Sequence, residues 1–190
     1  VLRALEEAIL KQGIGIGNSV VKVDMFLNHR IDTDLLTKMG AEIAEHFAGE
    51  KPDIVLTVEA SGIALAVACG IALGNIPVVF AKKSKASNQA KGMLSAKCYS
   101  FTHQKSNHLL VDPNYLPKNS KVLIVDDFLA NGEAIQALMS LIQQANCKCV
   151  GAAVAIEKAF QPGGQALREK GMDILSLASV KAIEDGKIVL

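Results

Sequence analysis

A succession of short, uninterrupted apolar runs constrains this chain more than any other feature. Residues 54–58 (IVLTV), 77–81, 109–111, 122–125 and 150–156 are each too short for a helix that spans a core, and each lacks polar alternation. Continuous apolar strands of this length are buried on both faces, which is the signature of a parallel sheet. Between them, residues 34–47, 63–73 and 133–145 carry apolar positions at helical spacing. Strands alternating with helices predict an α/β architecture: a parallel sheet core flanked by helices. A further amphipathic helix is predicted at 2–11, where Leu2, Leu5, Ala8 and Ile9 fall on one stripe.

The chain has 190 residues, enough for one large core, so a single domain spanning 1–190 is expected. Its core is placed at about 33–156. Residues 13–32 and 157–190 lie outside the regular alternation and are expected to meet as a small hood lobe. Residues 20–23 read as a short strand. The preceding GIGIGN, Gly13 to Asn18, is a poor dinucleotide fingerprint: Asn18 takes the last glycine position and no strand comes first, so a turn is expected.

Composition removes several function classes. The formal net charge is +1, which gives no global field for nucleic acid or a membrane surface, and neither partner is expected. Residues 60–81 are uncharged, but Gly70, Gly74, Asn75 and Pro77 interrupt them, so a helix followed by a strand is expected rather than a membrane span. The acidic LRALEEAILKQ segment does not read as a signal peptide. Cys69, Cys98, Cys147 and Cys149 form no C-x-x-C pair and suit reduced thiols in the cytoplasm.

In parallel α/β sheets, ligands bind beyond the carboxyl ends of the strands. Three unusual loops follow such ends here: Glu59-Ala60-Ser61-Gly62, Lys82-Lys83-Ser84-Lys85, and Asp126-Asp127 with the small-residue loop 130–134. A small-residue turn opening a helix offers backbone N–H groups and the helix dipole to an anion. Carboxylates repel an anion but accept hydrogen bonds from hydroxyls. A ligand that satisfies both carries a phosphate beside a vicinal diol, as a ribose phosphate does. Asp126 and Asp127 would take O2 and O3, and residues 130–134 the 5-phosphate. A Walker B reading fails because the chain has no G-x-x-x-x-G-K-[ST].

The stretch VLIVDDFLANGEA, Val122 to Ala134, resembles the phosphoribosyl pyrophosphate (PRPP) motif of the type I phosphoribosyltransferases. VDMFLNH (23–29), EASGIA (59–64), VVFAKK (78–83) and IEKAFQPG (156–163) extend the likeness over nearly the whole chain and resemble the xanthine branch of that family. Two departures stand out. Many members have Thr in the phosphate loop, where this chain has Ala130-Asn131-Gly132-Glu133-Ala134, and Phe128 replaces a smaller aliphatic residue.

The resemblance implies a type I phosphoribosyltransferase fold and a purine-salvage transfer from PRPP to xanthine, with xanthosine 5'-monophosphate and pyrophosphate as products. It implies Mg²⁺ bound with PRPP, with no ligand supplied directly by a side chain, and a homodimer. Asp126 and Asp127 would be the catalytic pair, with Ala60, Ser61, Gly62, Lys82 and Lys83 receiving pyrophosphate. Val21, Asn28 and Lys158 would meet the base, and either Phe128 or Phe160 would stack on it. Residues 84–98 are expected to act as a lid. Transfer to guanine or hypoxanthine, or PRPP sensing without catalysis, remains compatible with the same motifs.

Overall fold

The computed structural model describes residues 2–84, 92–100 and 105–190. At its centre is a seven-stranded sheet. In chain order its strands are β3 (Ile54–Val58), β4 (Val78–Ser84), β5 (Leu94–Ser100), β6 (Lys105–Val111), β7 (Lys121–Leu129), β8 (Lys148–Lys158) and β9 (Ile174–Val180). Across the sheet they run β5-β6-β4-β3-β7-β8-β9. From β4 to β9 all pairings are parallel. Strands β5 and β6 extend the β4 edge as an antiparallel ribbon.

Alternation along each strand divides the interior into two cores. Val55, Leu123, Val125, Ala153 and Ala155 pack with α1 (Arg3–Gln12), α2 (Thr33–Phe47) and α3 (Gly62–Ala72). Leu56, Val58, Val122, Ile124 and Val154 point the other way, toward α4 (Glu133–Gln144) and Leu167 of α5 (Gly163–Glu169). Each fully buried Leu or Ile contributes about 1.5–3 kcal/mol. The Asp32 side chain caps α2 by accepting from the Leu35 N–H at 3.1 Å. No helix among the described residues is long and apolar enough to cross a membrane, and residues 60–81 resolve into α3 and the start of β4.

Three expectations need correction. GIGIGN is not a free turn: β1 (Ile14–Ile16) pairs antiparallel with β2 (Val20–Lys22), and the turn covers only the residues between them. Residues 157–190 do not all join the hood, because β9 pairs with β8 inside the main sheet. Only β10 (Ala182–Glu184) and β11 (Lys187–Val189) leave it, and Gly15 N–H donates to Gly186 O at 3.1 Å to link the two hairpins. Part of the expected lid is strand: Leu94–Ser100 forms β5, because one face of this polar ribbon packs on the second core through Leu94 and Ala96. Residues 85–91 of that lid lie outside the described residues.

Candidate active site

The carboxyl ends of β3, β4 and β7 open into a cavity of about 740 Å³, which is also lined by Ser19 and Val20 of the hood and by Lys158 at the end of β8. Its floor is Asp126 and Asp127, only 7% and 8% exposed. Both sit on β7, which runs past them to Leu129. Their backbone amides hold them in place: Asp127 N–H donates to Asp126 Oδ1 at 2.9 Å, and Phe128 N–H donates to Asp127 Oδ1 at 3.0 Å. Burial, and then the neighbouring Asp127 charge, pushes the Asp126 carboxyl well above its usual range. The pair therefore holds one negative charge more readily than two.

Beyond the acids the chain turns through Ala130, Asn131 and Gly132 into α4. Gly132 has φ +87°, a left-handed conformation that glycine adopts without a Cβ clash. Ala130, Asn131, Glu133 and Ala134 line the cavity. The first N–H groups of α4 have no intrahelical acceptor, so the helix presents donors and the positive end of its dipole here.

In the loop after the neighbouring strand β3, Glu59 and Ser61 also line the cavity. The Glu59–Ala60 peptide bond is cis. Glu59 Oε1 accepts from Lys83 N–H at 2.6 Å, which ties this loop to β4. Gly62 opens α3 where a Cβ would strike Thr57 Oγ1 and come within 2.7 Å of Asp126 Oδ1. A side chain there would displace the acid.

At the end of β8, the strand paired with β7, Lys158 Nζ donates to Ser19 O at 2.9 Å and lies 5.5 Å from the centre of the Phe128 ring. Burial lowers the Lys158 pKa, and the Asp127 charge opposes that shift. Asn28 ends a π-helical turn, Asp24–Asn28, anchored in the core by Phe26 and Leu27. From there its Nδ2 donates to Asp127 Oδ2 at 3.1 Å.

The structure thus brings Asp126, Asp127, residues 130–134, Ser61, Lys83, Asn28 and Lys158 to one region. Other expected site residues lie elsewhere. Val21 is 6% exposed and faces the first core, because alternation along β2 turns Val20 to the cavity instead. Lys82 and Lys83 likewise alternate along β4, and only Lys83 lines the cavity. Ala60 and Gly62 flank the lining residue Ser61 without lining the cavity themselves. Both phenylalanines pack against the first core, and Phe128 in addition lies beside Lys158.

Cys98, Tyr99 and Asn107 of the β5–β6 ribbon and Gln161 after β8 complete the wall. Sequence reasoning did not single them out. Outside 109–111 the ribbon has no apolar run, and Gln161 stood unremarked inside IEKAFQPG.

Residues 22–179 match the family described as "Phosphoribosyl transferase domain". The chain is 48% identical over 188 residues to a xanthine phosphoribosyltransferase of Heliobacterium modesticaldum, covering 99% of both chains. Against the xanthine phosphoribosyltransferase of Clostridioides difficile it is 45% identical over 187 residues, covering 98% of each. Among solved structures, the APRTase of Giardia lamblia complexed with 9-deazaadenine superposes with a TM-score of 0.75 at 20% identity, covering 92% of this chain and 97% of that one. The adenine phosphoribosyltransferase of Rhodothermus marinus gives 0.71 at 20% identity, covering 93% and 98%. At these identities the structures share the fold, a mostly parallel sheet flanked by helices.

Proposed function

Because this chain belongs to the phosphoribosyl transferase domain family, we propose that its cavity carries out one reaction of purine salvage: xanthine and PRPP give xanthosine 5'-monophosphate and pyrophosphate. One observation carries the reading. The buried acid pair, the small-residue loop and Lys158 all line a single cavity.

In this reading, residues 130–134 and the first amides of α4 hold the 5-phosphate. Asp126 and Asp127 accept hydrogen bonds from the ribose hydroxyls at O2 and O3. The bond from C1 to pyrophosphate breaks, and the ring gains positive charge, which the two carboxylates stabilise. Pyrophosphate leaves toward Ser61 and Lys83, beside Ala60 and Gly62. A ring nitrogen of xanthine forms the new bond to C1 from the opposite face and gives up its proton.

At the base end, Lys158 has three N–H donors, and Ser19 O occupies one, leaving donors for the oxygen at C6. Asn28 orients Asp127 and offers its remaining N–H toward the base. Val20 supplies the apolar wall assigned from sequence to Val21.

Enzymes of this family generally use Mg²⁺ with PRPP. The hard carboxylate oxygens of Asp126 and Asp127 suit such an ion. Among the described residues no three His, Cys, Asp or Glu side chains gather into a metal site, so oxygens of PRPP and water would supply most of its ligands. When bound, the ion neutralises charge on the departing pyrophosphate.

The same proposal includes a homodimer, supported by family resemblance, and a cytoplasmic location, supported by four free cysteines. Light scattering that gave only a 20.1 kDa species would contradict the dimer. The reaction is tested by incubating the protein with Mg-PRPP and xanthine, then measuring pyrophosphate release and the nucleotide by mass. Stoichiometric xanthosine monophosphate is expected. PRPP binding with no transfer to any purine would instead identify a sensor.

A further inference from the structure

Glu157 stands next to Lys158 on β8 but is only 6% exposed and does not line the cavity. Its carboxylate is gripped from the other side of the strand. Arg168 of α5 donates through Nη1 to Oε1 and through Nη2 to Oε2, both at 2.7 Å. Ser176 of β9 donates its hydroxyl to Oε2, and Arg168 Nη2 also donates to Ser176 Oγ at 3.2 Å. Both ends of the fork are thus engaged, which fixes a direction as well as a distance.

Between this network and the loop after β7 there is no room for a side chain. A Cβ on Gly164 would strike the Glu157 carboxylate and come within 2.9 Å of Arg168 Nη1. A Cβ on Gly163 would strike Ala130 O and lie 2.6 Å from Gly132 N. Gly163 N–H donates to Ala130 O at 3.2 Å. From the loop side, a Cβ on Gly132 would meet Leu167 Cδ1 of α5 at 3.2 Å. The first turn of α5 is therefore wedged between the ion pair and the backbone of 130–132.

We propose that Glu157, Arg168 and Ser176 are positioning residues for PRPP: they seat α5 against the 130–132 loop and fix the loop in the shape that receives the 5-phosphate. The inference rests on the role given to that loop above. A pair that only stabilised the sheet would affect both substrates alike. A pair that positions this loop acts on PRPP alone. Misplacing a binding loop by a fraction of an ångström weakens what it holds; Lys158 follows Glu157 on β8, so Gly163→Ala, which leaves Glu157 in place, isolates the loop.

Steady-state kinetics of Arg168→Met and Gly163→Ala test this. Gly163→Ala leaves the ion pair intact and presses on the loop directly, so it decides the matter if Arg168→Met fails to fold. Both should raise KM for PRPP by about ten- to a hundred-fold, with KM for xanthine changed less than about twofold. Arg168→Lys, which keeps charge but loses the fork, should fall between. Unchanged KM for PRPP, or equal rises for both substrates, overturns the proposal. Gly132→Ala alters the loop itself and separates the two levels. If it raises KM for PRPP while the other variants do not, only the positioning role fails. If it too leaves KM for PRPP unchanged, the assignment of the loop fails and the inference with it.

Discussion

Asn28 and Asp127, ninety-nine positions apart, are joined by a 3.1 Å hydrogen bond from amide to carboxylate. The bond ties the end of the Asp24–Asn28 turn to the acid pair. Asn28→Ala removes the donor to Asp127 Oδ2 and leaves the Phe128 N–H on Oδ1. Loss of a hydrogen bond to a charged group costs about 1.5–3 kcal/mol. The expected outcome is a fall of roughly ten- to a hundred-fold in kcat/KM for xanthine, with Tm within a few degrees of wild type.

Asp126 separates activity from stability. Its folded-state pKa is raised by burial and by Asp127, so its contribution to stability is greatest below its ordinary value of 3.8 and is lost as pH rises through the raised value. Asp126→Asn removes that titration and keeps an acceptor for the Asp127 N–H. Its Tm should fall less than that of wild type as pH rises from 4 toward neutrality. Activity should drop by about 2–4 kcal/mol of transition-state stabilisation. Thermal melts across pH, paired with kcat/KM, check both halves.

The Glu157–Arg168 pair has the opposite sign. Arg168 holds Glu157 below its ordinary 4.5 against the opposing effect of burial. Its stabilisation is present above that value and lost as pH falls through the lowered one. Glu157→Gln should be less stable than wild type by about 1–2 kcal/mol near neutrality, the scale of a charge-assisted pair partly open to solvent. The two melting curves should converge under acid conditions.

How much of this was legible in the sequence varies by element. The parallel strands were, because IVLTV and VLIV are buried on both faces and hold a single polar residue, Thr57. The acid pair was, because carboxylates directly after such a run stand at a strand's carboxyl end. The β5–β6 ribbon was legible only at 109–111, the apolar end of β6, and there as one more parallel strand. LSAKCYS and the first half of β6 are too mixed in composition to separate from a polar loop. Strand β2 was read within residues 20–23, but its partner β1, three residues of alternating Gly and Ile, was too short to show a period and was taken for a turn. Val21 and Lys82 were placed one position from Val20 and Lys83, the residues that line the cavity. A one-residue step along a strand reverses the face, and residue type alone does not say which face is which. The wedge at Gly163 and Gly164 was invisible because it depends on three elements meeting.

Lys158 is the residue on which base choice is expected to turn. Its ammonium has donors and no acceptor, so a 6-oxygen suits it and a 6-amino group faces it donor to donor. Lys158→Met should depress use of xanthine, guanine and hypoxanthine together, by an amount on the order of 2–4 kcal/mol in kcat/KM. Unimpaired xanthine use in this variant would make Lys158 a bystander.

The solved neighbours named above include adenine enzymes, whereas the curated relatives are named for xanthine, and one competition assay separates these directions. Xanthine, guanine, hypoxanthine and adenine are supplied at equal concentration with limiting Mg-PRPP, and the nucleotides are resolved by mass. The account predicts xanthosine monophosphate as the main product, guanosine and inosine monophosphates behind it, and adenosine monophosphate last by a wide margin. Adenosine monophosphate formed as readily as xanthosine monophosphate would contradict it.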